Sequence, residues 1–171
     1  MIKYIFLSFA FWCINIVSSY GQHLKFMDVE LGQNAEYFKY KLSQKGFTPG
    51  MGESQDFLFG QYLVRESRIY CRETNGIINQ IFINYGNKNN YSYNEALQLK
   101  KGIVDILAEE LKKTGRVILF KDVATIGSCI GDVFHLKDGY IMVYTDGIDN
   151  CQVVVQYFDS PDNVIYKMNI K

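Results

Sequence analysis

The side chains best suited to act as base or nucleophile near neutral pH are few in this sequence: His23 and His135, and the cysteines at 13, 71, 129 and 151. One constellation could combine them. Cys129 sits in Ile126-Gly127-Ser128-Cys129-Ile130-Gly131, which reads as a flexible Gly-flanked loop, and His135 follows six residues on. A thiol and an imidazole in contact would make a cysteine-dependent hydrolase. Against that reading, the spacing matches no cysteine-protease signature, and His135 alternates with Val133 and Lys137, opposite Phe134 and Leu136, as on the exposed face of a strand. Cys129 is therefore expected to be a structural thiol and His135 a surface histidine. His23 lies beside an expected new N-terminus, where chain ends are commonly loose. No residue is assigned a catalytic role, and the chain is read as a non-enzyme.

The other chemical patterns are weaker. Asp146-Gly147-Ile148-Asp149-Asn150 offers too few oxygens at the wrong spacing for calcium, and no His/Cys pair has zinc-ligand spacing. Pro49-Gly50-Met51-Gly52 lacks the downstream Lys-Ser/Thr of a phosphate loop. No metal and no cofactor is expected. Between 85 and 93, Tyr85, Tyr91 and Tyr93 interleave with Asn87, Asn89 and Asn90. Aromatic faces flanked by amides can hold a sugar or a protein, so a glycan-binding module built on Tyr85, Tyr91 and Tyr93, with Asn87 and Asn90 alongside, is a second alternative.

Residues 1–21 read as a secretory signal peptide: Lys3, an apolar run from Tyr4 to Val17, then Ser19 and Gly21 as small residues before a cut. The run falls short of the roughly 20 apolar residues of a membrane span, so cleavage is expected, export to the periplasm or beyond, and no stable span afterwards. Over the whole chain 18 Lys and Arg balance 18 Asp and Glu, which gives no electrostatic footprint for nucleic acid. Three cysteines remain after the leader. They read as small buried apolar groups; if two bridge, Cys71 and Cys151 are the first expectation, since both alternate with apolar strand residues.

The elements that would position these residues form a single α+β domain over 22–171. Asn34 caps a short helix that ends near Gly46, and Ser92 with Glu95 forms a capping box for a long helix reaching Lys113. Its apolar stripe is Ala96, Leu99, Ile103, Ile106, Leu107 and Leu111, interrupted by Gly102, which reads either as close approach to a sheet or as an accident of drift. Strands are expected at Phe57 to Arg65, Arg68 to Glu73 and Ile77 to Tyr85, with Asn75-Gly76 as a hairpin turn. A second group follows at Val117 to Phe120, Val133 to Leu136, Tyr140 to Thr145 and Cys151 to Phe158, while 160–171 could open as a helix at Ser160-Pro161-Asp162. Hairpin-linked strands with helices on one face make an antiparallel meander under two helices.

The run Phe26-Met27-Asp28-Val29-Glu30-Leu31-Gly32, then Phe38, Leu42 and Lys45-Gly46-Phe47, resembles the opening of a group of small exported proteins of unknown function from Gram-negative gut-type bacteria. Val155-Gln156-Tyr157-Phe158-Asp159 resembles their closing motif, although Asp28 and Glu30 stand where the group has Gly and Pro. The resemblance implies an exported α+β domain organised like the β-lactamase-inhibitor-protein-like domains, and no activity. The expected function is a protein-binding or envelope-accessory module, inhibitor-like, that uses an exposed sheet face or connecting loops.

Overall fold

A computed structural model describes residues 23–63, 65–86, 91–126, 129–147 and 151–160. The expected leader, Asn87, Asn90 and the segment after Ser160 lie outside them. Two short strands open the fold, β1 (Lys25–Phe26) and β2 (Val29–Glu30), followed by helix α1 (Ala35–Ser43), β3 (Thr48–Pro49), β4 (Phe57–Tyr62), β5 (Arg65–Thr74) and β6 (Ile77–Tyr85). Helix α2 (Tyr93–Lys113) leads to β7 (Ile118–Ile126), β8 (Cys129–Leu136), β9 (Gly139–Asp146) and β10 (Gln152–Asp159). The fold is α+β: β1 and β2 pair alone, and the other strands form one antiparallel sheet in the order β3-β4-β5-β6-β10-β9-β8-β7.

Local chemistry sets the element ends. The Asn34 side chain accepts from the Glu36 and Tyr37 N–H groups at the start of α1. Both arms of the Ser92–Glu95 capping box close on α2, which satisfies donors that a helix start otherwise leaves orphaned. Asn75 and Gly76 both adopt positive φ, the geometry that a tight hairpin between β5 and β6 requires.

The sheet is amphipathic in an unusual way. Its inner face carries cross-strand rows such as Ile69, Ile83, Val155 and Val143, and α2 lays Ala96, Ile103, Leu107 and Leu111 over β9 and β10. Phe38 and Leu42 of α1 join the same core, together with Leu24, Phe26 and Leu31. Strand β10 is the hinge of the design, because it pairs with β6 on one side and β9 on the other and so fuses the two strand groups into one sheet.

Several sequence expectations are corrected. Ile106 is exposed and falls off the buried stripe of α2. Gly102 has open space around it, so the close-approach alternative fails. Positions 127 and 128 lie outside the described residues, but the residues flanking them are strand: Ile126 pairs with Cys129, Thr125 with Ile130 and Ala124 with Gly131, so β7 and β8 are much longer than read. Gly131 there is a packing residue, since a Cβ at that position would overlap the Met142 side chain. His23 is also no loose end. Its Nδ1 lies 2.7 Å from Asp159 Oδ2.

Candidate functional site

The face of the sheet turned away from the helices is built from the outward positions of β4, β5, β6, β10 and β9. Along β5 the core-facing Ser67, Ile69 and Cys71 alternate with Arg68, Tyr70 and Arg72. Along β6, Ile81 and Ile83 alternate with Gln80, Phe82 and Asn84. Cross-strand pairing then lines up Phe57, Tyr70, Phe82, Gln156, Met142 and Val133 in one row, with Arg68, Asn84, Val154 and Tyr144 in the row beside it. Met142, Val154 and Gln156 are only 0, 3 and 8 % exposed although no helix among the described residues covers them, and Met142 packs with Ala124, Val133, Tyr140 and Tyr144.

Near β5 these side chains interlock. The Phe57 and Tyr70 ring centroids are 5.8 Å apart, and those of Tyr70 and Phe82 are 6.2 Å apart. The Arg68 guanidinium lies 4.6 Å from the Phe57 ring centre and that of Arg72 lies 5.1 Å from Phe82, both within cation–π range. Arg72 also donates to Gln80 Oε1 at 3.2 Å. Arg68 differs, since its Nε is buried with no hydrogen-bond acceptor among the described residues. The outcome is a strip of half-buried rings that fixes two cations in place.

The residues singled out from sequence fare unevenly. Cys129 and His135 lie at opposite ends of β8, six residues and roughly 20 Å apart, so they cannot form a nucleophile–base pair. His135 is half-buried on the outward face opposite Tyr140, and burial depresses its pKa while Asp122 opposes that shift. The thiol of Cys129 reaches Asp146 at 3.8 Å. Cys71 pairs with Ile81 and Cys151 lies beyond the Tyr85–Val153 pair, an offset of about six strand residues that exceeds any disulfide reach. Cys71 is a free thiol, so the pairing of Cys71 with Cys151, the first choice had two cysteines bridged, is not made. Burial pushes its pKa up to about 12.

The tyrosine cluster is also divided. Tyr85 points into the core and donates to the Tyr62 carbonyl, so it cannot offer a ring to a sugar. Tyr91 is half-buried and bridges to Cys151 through paired backbone hydrogen bonds. Tyr93 alone is well exposed, on the first turn of α2, while Asn87 and Asn90 lie outside the described residues. The sequence reading missed Arg68, Arg72, Phe57, Tyr70 and Phe82. Their signal was present as aromatic and arginine residues on the strand positions that alternation assigns to solvent.

The fold and this face define an α+β domain with a sheet surface of aromatic and arginine side chains that no helix among the described residues covers. No protein-family model, no curated protein and no solved structure matches the chain. Among the described residues no group of three His, Cys, Asp or Glu is placed to hold a metal ion, and no helix is long and apolar enough to cross a membrane.

Proposed function

We propose that this chain is an exported, non-enzymatic binding domain whose sheet face opposite α1 and α2 holds an acidic patch on another protein. The observation that carries the reading is Arg68, whose Nε is buried without an acceptor while its guanidinium lies over Phe57. An unsatisfied buried donor costs about 1–3 kcal/mol. A carboxylate arriving over the face would supply the missing acceptor and could engage a guanidinium at two points. Arg72 repeats the cation-over-ring arrangement with Phe82, four residues further along β5. Arginine and large aromatic residues are the side chains that most often dominate protein–protein binding energy. The leader-like run behind Lys3 supports export, and the separation of Cys129 from His135 supports a role without covalent chemistry.

The test compares affinity capture from the source cells by three forms of the protein: wild type, Arg68→Glu with Arg72→Glu, and Tyr37→Ala with Tyr40→Ala on α1. The reading expects one acidic protein retained by the first and third forms and released by the second, with affinity reduced at least thirtyfold, or about 2 kcal/mol. Retention of the same protein by the charge-reversed form would refute it, as would retention of polysaccharide in place of protein.

A further inference from the structure

A second feature lies at the far end of α2, independent of the sheet face. There the loop after Lys113 and the start of the chain enclose a cleft of about 680 Å³, within the roughly 300–1,000 Å³ typical of small-molecule sites. Its floor is a pair of phenols. Tyr62 and Tyr157, 9 and 3 % exposed, place their hydroxyl oxygens 2.5 Å apart. Two phenols bring two protons, and the bond between them uses one. The other hydroxyl proton has no acceptor among the described residues. Burial raises both pKa values, that of Tyr157 to about 12, so the spare proton is retained at neutral pH.

Gly115, at φ +70, turns the chain back so that the Arg116 N–H meets the Leu111 carbonyl at 2.9 Å. Arg116 lines the cleft, and its charge acts on both phenols. Two other charges on the lining are already neutralised, Lys25 by Glu30 and Glu110 by Lys113, each at 3.0 Å. Lys137 shares the lining with Asp28 and Asp138. Arg116 makes no salt bridge among the described residues. Leu63, Leu107 and Leu111 supply apolar wall.

The geometry points to a binding site for a small amphiphilic carboxylate, with its oxygens on the Arg116 guanidinium and the spare phenol hydroxyl and its hydrocarbon part against the leucines. A guanidinium beside an O–H donor is an oxyanion receptor, and the leucine wall gives an organic ligand an advantage over a bare inorganic ion.

Isothermal titration of the full chain with octanoate tests this, with octanol, octylamine and octyl phosphate as comparison ligands. Saturable one-to-one binding of octanoate is expected, with octanol and octylamine bound at least tenfold more weakly. Arg116→Met, at a half-buried position outside the core, should weaken octanoate at least tenfold, and Tyr157→Phe severalfold. The Arg68→Glu, Arg72→Glu protein should bind octanoate as wild type does. Absence of octanoate binding, equal binding of octanol, unchanged affinity in Arg116→Met, or tighter binding of octyl phosphate would each overturn the carboxylate site.

Discussion

The carboxylate of Asp159 holds His23 and its neighbour together: one oxygen lies 2.7 Å from His23 Nδ1 and the other accepts the Leu24 N–H at 2.7 Å. The first described residues are thereby tied to the end of β10, the strand that joins the two halves of the sheet. Asp159 is also the carboxylate whose pKa burial raises, an effect that His23 and the Leu24 N–H partly offset.

Replacing Asp159 by Ala leaves the Leu24 N–H and the His23 ring without their acceptor. The expected loss is about 1–3 kcal/mol. Urea unfolding of the two proteins checks it, and an unchanged midpoint would mean that this tether adds nothing to stability.

Gly102 is exposed in the middle of α2 with open space around it. Gly102→Ala should stabilise the protein by about 1 kcal/mol, because alanine loses less backbone freedom on entering a helix and meets no neighbour. A thermal melt that moves downward would reveal a contact at this site.

His135 titrates below its ordinary value near 6.5 because burial disfavours the imidazolium. As pH falls, the unfolded chain takes up this proton before the folded one does. The contribution of His135 is therefore complete above about pH 6.5 and is lost as acid brings the pH down through its depressed pKa. Stability measured across that window should fall less steeply in His135→Gln than in wild type, and parallel curves would exclude the imidazole as the source.

Cys71 combines partial cover by the core with a pKa of about 12, so little thiolate exists at neutral pH. Iodoacetamide should label it slowly in the native protein and fast in denaturant, as read by peptide mass. Rapid native labelling would contradict the burial.

Much of the framework was legible in the residues because its signals are local. Asn34, the Ser92–Glu95 pair and the Asn75-Gly76 turn each act within four residues of themselves, and each does in the structure what its chemistry predicts. The insertion of β10 between β6 and β9 was not legible, since pairing Val155 with Ile83 is a contact between distant segments that no short pattern encodes. Gly131, two residues after Cys129, misled for a different reason: glycine signals either flexibility or tight packing, and this one serves Met142. The binding face was hidden because it is assembled from single residues on separate strands, Phe57, Arg68, Tyr70, Arg72 and Phe82, whose neighbours in sequence point into the core.

Hydroxyl-radical footprinting of the protein with its captured partner most directly tests the role assigned to the sheet face. If that face is the interface, Phe57, Tyr70 and Phe82 lose reactivity in the complex while Tyr37, Tyr40 and Tyr93, exposed on the helices, keep theirs. Protection of the helix tyrosines with Phe57, Tyr70 and Phe82 unchanged would place the partner on the other side of the domain and contradict the proposal.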